Sequence, residues 1–101
     1  MTTEGTKTKS RLCIITTRWR DLYYGRVAAT DAAIAKTQSV RVEHCRHIAY
    51  WKGPVGGLTS LAAEGPGPES RIGRPVSALL TGVAHVLDVS REAAKRFAEI
   101  G

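Results

Sequence analysis

Carboxylates, aromatic rings, cysteines and long apolar runs are all scarce in this chain, and each shortage excludes something. Nine Asp and Glu stand against fifteen Lys and Arg, a net charge of +6, so the surface favours anionic partners over cationic ones. The imbalance is uneven along the chain. Met1 to Lys52 holds ten basic and four acidic residues and carries the whole +6, whereas Gly53 to Gly101 holds five of each. Cys13 and Cys45 are the only thiols, too few for a disulfide framework, and a reduced, cytoplasmic setting is expected. No stretch approaches the ~18 apolar residues of a membrane span, and the start Met1–Lys7 lacks the apolar centre of a secretory signal.

Clusters that carry chemistry are equally sparse. His44, Cys45 and His47 lie close together, with Cys13 and His85 elsewhere. The paired ligand spacing of a zinc site is missing, so neither a metal nor a cofactor is expected. No Ser, His or Asp falls in a nucleophile-elbow setting, and Glu43 is the carboxylate nearest the aromatic stretch in sequence. General acid–base work has little to build on, and a non-enzymatic protein is expected.

What the chain does contain is enough for one modest core. Met1–Ser10 is polar and basic and reads as a flexible leader, with a single domain over 11–101. Leu12–Thr17 and Leu22–Ala28 read as a strand pair joined by an Arg18-Trp19-Arg20-Asp21 turn, with Gly25 marking a bulge or a close approach. Thr30–Lys36 reads either as a helical turn capped by Asp31 or as an enlarged loop. Ser39–His44 alternates, with Val40 and Val42 inward and Arg41 and Glu43 outward, and Ile48–Trp51 follows as a second strand or as the bent continuation of the first. Leu58–Glu64 reads as a short helix stopped by Gly65, and Val76–Leu80 as strand or helix. Val83–Val89 reads as a strand, followed by a closing helix Arg91–Ile100 capped by Ser90. The class is α+β: a small, mainly antiparallel sheet or partly closed barrel with one short internal helix and a C-terminal helix.

Two constellations point to binding. Lys52-Gly53-Pro54-Val55-Gly56-Gly57 runs from strand to helix, where free amides could meet an anion. The Lys-Ser/Thr that follows a nucleotide-hydrolase loop is absent, and a plain connector is the competing reading. The second constellation interleaves Trp19, Tyr23, Tyr24, Tyr50 and Trp51 with arginines, a mixture suited to stacking bases and holding phosphates. Strand alternation sends adjacent rings to opposite faces, so some of them must build core. The candidate ligand set is Arg18, Arg20, Arg26, Arg46, Lys52 and Arg71 for charge, Tyr24 and Trp51 for stacking, and Gly56 and Gly57 for amide contacts.

The stretch Arg46-His47-Ile48-Ala49-Tyr50-Trp51-Lys52-Gly53 resembles a family of short bacteriophage and prophage proteins. The likeness extends to Thr16-Thr17, Tyr24-Gly25, Leu58, Leu61-Ala62, Gly65-Pro66, Arg71-Ile72, Pro75 and Glu92-Ala93-Ala94. The Arg18–Asp21 turn is bulkier and more basic than that family's usual small-residue turn, and the Asp31–Gln38 segment is longer. The resemblance implies a one-domain, strand-rich phage accessory protein of the host cytoplasm. Its expected role is a homo-oligomer that sequesters an anionic or nucleotide ligand such as a host immune signal. The competing expectations are sequence-independent DNA or RNA binding and a virion or assembly role.

Overall fold

The computed structural model describes residues 10–51, 57–67 and 69–100. Strands β1 (Arg11–Thr17) and β2 (Leu22–Val27) form an antiparallel hairpin, with Arg11 opposite Val27 and Thr16 opposite Leu22. Helix α1 (Asp31–Thr37) leads into β3 (Ser39–Tyr50), one long strand of 12 residues. Helix α2 (Leu58–Glu64), strands β4 (Arg71–Ile72), β5 (Val76–Thr81) and β6 (Val83–Asp88), and helix α3 (Arg91–Glu99) follow. The sheet runs β6-β1-β2-β3, and β5 and β4 pair successive stretches of β3. Every pairing is antiparallel.

Strands β5 and β6 pair with opposite sides of this sheet, yet Gly82 alone separates them. The chain turns that corner because Gly82 takes a left-handed φ of 62°, which costs a residue without Cβ nothing. The sheet therefore curls, and no ladder joins β5 to β6 among the described residues. The stretch from Val76 settles as a strand. Leu80 and Ala78 turn to the core while Ser77 and Leu79 stay exposed, a period of two.

Strand β1 is buried on both faces, which its apolar run Leu12–Ile15 foreshadows. Cys13 and Ile15 pack with Val27, Val40, Val42 and Ile34 of α1, and Ile14 packs with Tyr24, Ile48, Leu61 and Phe97 under α2 and α3. Strand β3 serves both cores by changing phase. Val40 and Val42 face the first core, but the register shifts between Val42 and Cys45, and His44 takes φ 51°. One inserted residue moves the inward positions from even to odd. Cys45 joins the first core, while Ile48 joins the second. Gly25 lies against this bulge. A Cβ there would sit 2.4 Å from Val42 Cγ1 and 3.1 Å from Cys45 Cα, so β3 is the close neighbour that the glycine admits.

Among the described residues three helices close the structure, two of them internal. The Thr30–Lys36 segment is helical, and its cap is Thr30, not Asp31: Thr30 Oγ1 accepts from Ala33 N at 3.2 Å. Thr30 has the extended backbone that a capping residue needs, and Asp31 is already the first helical residue. Gly65 ends α2 by donating to Leu61 O at 2.8 Å. Ser90 caps α3, with Oγ accepting from Ala93 N at 3.0 Å, and Glu92 pairs with Arg96 at 3.4 Å.

Candidate functional site

The β1–β2 tip is the best-built exposed feature. Arg20 N donates to Thr17 O at 2.9 Å, and Thr17 N donates to Asp21 O at 3.0 Å. Arg18 and Trp19 form the turn, and Arg20 takes the left-handed position with φ 69°. This is the three-residue hairpin loop whose last residue is ordinarily glycine. Two more bonds fix the tip to its surroundings: Trp19 N to Thr17 Oγ1 at 3.3 Å, and Arg18 N to Gly82 O at 2.9 Å. The Trp19 ring lies against the Gly82 corner, with its nearest atom 2.5 Å from where a Cβ would stand. The Arg18 guanidinium sits 5.6 Å from the indole centroid, a cation–π distance. Trp19 nevertheless remains 62% exposed.

The antiparallel register brings more of the candidate set to this end. Tyr23 lies opposite His47, so β3 reaches Tyr50 beyond the start of β2, and Tyr50 lies opposite Arg71 of β4. Tyr50 is 50% exposed, and Arg18, Arg20 and Arg71 are all exposed. Arg26 is also exposed but belongs to the far end of β2, where it donates to Ser10 Oγ at 3.4 Å.

Two other candidates are engaged inside the fold. Tyr24 and Arg46 are neighbours in register on β2 and β3, and both serve the seating of α3. Tyr24 is only 7% exposed, and its ring stacks on Phe97 with centroids 3.9 Å apart and planes 8° from parallel. Burial pushes its phenol pKa up. Arg46 Nε donates to Gly73 O at 2.7 Å, Nη1 to Phe97 O at 3.0 Å and Nη2 to Ile100 O at 2.6 Å. A cation at the carbonyl end of a helix satisfies orphan acceptors and opposes the dipole. Trp51 is half-buried against the second core. Gly57 precedes α2 with φ 76°, whereas Lys52 and Gly56 lie outside the described residues. The bulge of β3 decides much of this: its phase shift turns Arg46 toward the helices, which simple alternation from Val40 could not foretell.

Several other titratable groups serve structure. Arg11 bridges Asp31 and Asp88, the latter at 3.2 Å. Its hydrogen bond holds the Asp31 carboxyl below the usual carboxylate range. Burial pushes the Cys13 thiol up to about 11, with Arg11 opposing and Asp88 adding to the shift. Cys45 is raised by burial as well. Such thiols are inert at neutral pH. An open cleft of about 970 Å³ runs along α3, lined by Pro66, Arg91, Lys95, Arg96 and Ile100 with two glutamates between. It contains none of the candidate set. No group of three His, Cys, Asp or Glu among the described residues could hold a metal ion. No described helix is long and apolar enough to cross a membrane.

Trp19, the exposed ring of this tip, is missing from the sequence-derived ligand set. Its signal was present, an aromatic between two arginines in a turn, where no sheet face exists to bury it. No curated protein and no solved structure matches the chain. A family model does match, over residues 5–97, and with nearly the whole chain covered this protein belongs to the family described as a domain of unknown function, DUF6948.

Proposed function

We propose that this protein is a non-enzymatic binding module for an anionic partner that carries nucleobases. The supporting observation is the state of its arginines. Arg18, Arg20, Arg26, Arg41 and Arg71 are all exposed, and none forms an ion pair among the described residues. The described ion pairs hold Arg11 and Arg96 instead. Unpaired guanidinium groups on a chain of net charge +6 attract phosphates over a distance set by ionic strength. Retardation of oligonucleotides and retention on heparin at ~50 mM salt, both falling steeply as salt rises, would support the reading. Absence of both at low salt would sink it.

The resemblance to phage and prophage proteins fits an accessory role in a host cytoplasm, where a homo-oligomer sequestering a nucleotide is the second reading. One observation favours self-association. Val76 and Leu79 on β5 are 59% and 58% exposed, and β5 has no ladder on its second side among the described residues. An uncharged, unpaired edge is a template for strand addition. Native mass spectrometry of protein purified from cells reads subunit number and retained nucleotide together, and a bare monomer would dispose of this version.

A further inference from the structure

We propose that the β1–β2 tip is a base-stacking platform for single-stranded nucleic acid, with Trp19 as the stacking ring and Arg18 and Arg20 as its phosphate contacts. This rests on the anion-binding reading above and goes beyond it by naming the ring and the class of partner.

Three features of the tip converge. The first is rigidity. Four hydrogen bonds fix residues 17–21, two within the loop backbone, one to the Thr17 hydroxyl and one to the Gly82 carbonyl. A loop backbone held this way loses little further freedom on binding. The second is placement. The indole rests on the Gly82 corner, a position that any side chain at Gly82 would contest, yet 62% of Trp19 is exposed. An exposed tryptophan of this kind has no role in either core. The third is charge. Arg18 and Arg20 flank the ring in sequence and have no carboxylate partner among the described residues. Arg20 holds a left-handed backbone that a side chain tolerates only at some cost, so a cation stands where glycine would fit more easily.

A single strand suits this arrangement better than a duplex. A base offers its face to an indole only when unstacked from its neighbours, and successive phosphates can then meet the flanking guanidinium groups. Arg71 and the half-exposed Tyr50 at the same end of the sheet would extend the track.

The test uses the full chain carrying Trp51→Phe, which leaves Trp19 as its only indole. Titration with oligothymidylate is expected to quench Trp19 fluorescence, and same-length duplex DNA is expected to quench it less. In gel shifts, Trp19→Ala should weaken oligothymidylate binding about 5- to 100-fold. Trp19→Phe should restore most of it, and retention on heparin, which has no bases, should not change. If oligothymidylate and heparin bind but neither quenching nor Trp19→Ala distinguishes them, the stacking role is overturned while the anion-binding reading stands. If neither polymer binds at ~50 mM salt, both fall together. Circular dichroism checks that Trp19→Ala folds, and the quenching arm needs no change at Trp19.

Discussion

Arg46 gives the clearest test of whether the marker stretch of β3 serves the fold or a ligand. Its guanidinium makes three hydrogen bonds to carbonyls, at Gly73, Phe97 and Ile100. A hydrogen bond to a charged group contributes about 1.5–3 kcal/mol. The three are not additive, because water can reach the end of α3 once the side chain is gone. Arg46→Ala should therefore destabilise by about 2–4 kcal/mol. At roughly 4–8 °C per kcal/mol for a domain of this size, the melting midpoint should fall by about 8–32 °C. Arg46→Lys keeps the charge at the helix end but loses the planar fork, so it should recover only part of the loss. Thermal denaturation followed by circular dichroism measures all three proteins, and heparin retention is then compared well below the lowest midpoint. A variant Arg46→Ala that melts within ~3 °C of the parent yet no longer binds polyanions would refute the reasoning and return Arg46 to the ligand set.

Other perturbations test separate parts of the structure. Gly25→Ala places a methyl 2.4 Å from Val42 Cγ1 and 3.0 Å from Glu43 O, where the backbone cannot yield easily, and should cost about 2–3 kcal/mol in urea denaturation; an unchanged midpoint would show that the β3 bulge is misplaced. Arg20→Gly relieves the left-handed backbone at φ 69° and should be neutral or stabilising by up to ~1 kcal/mol, while oligonucleotide affinity drops; a loss of stability above that size would contradict the turn geometry. Burial favours the neutral Cys13 thiol and raises it from 9.0 to about 11. That contribution is complete below pH 9 and disappears as pH climbs toward 11. The melting midpoint should fall across this window and fall less in Cys13→Ala, whereas an identical slope in both proteins would exclude the thiol. At the acid end Asp31 is lowered by Arg11, so its small contribution holds above the ordinary carboxylate range and fades as pH falls through the depressed value. Asp31→Asn should flatten that limb slightly, and an equally steep limb would count against the pair.

Much of the fold was legible because period and punctuation agreed. The apolar run Leu12–Ile15 is buried on both faces, as its lack of alternation indicates, and Ser90 caps α3 as a serine before an amphipathic segment should. Local rules fell short where a neighbour made the decision. Thr30 rather than Asp31 caps α1 because Thr30 keeps the extended backbone of a cap while Asp31 is already helical, its carboxylate engaged by Arg11 twenty residues away. Val76–Leu80 could read either way until β3 supplied the ladder that makes it a strand. A bulge has no reliable sequence signature, and the one before Cys45 reassigned every residue after it.

The same limit separates the rings. Tyr24, Trp51 and Trp19 each have arginine or lysine close by in sequence, so composition alone ranks them equally. Tyr24 lies on β2 and Trp51 just past the end of β3, and there Tyr24 becomes core while Trp51 packs half-buried against it. Trp19 occupies a turn of the hairpin and belongs to neither core, with the Gly82 corner against its ring. Position relative to a sheet face, rather than aromatic character, decides which ring solvent can reach. By that criterion the basic, aromatic surface of this protein centres on the Arg18-Trp19-Arg20 tip, and the marker strand contributes Tyr50 at its edge while Arg46 holds α3 in place.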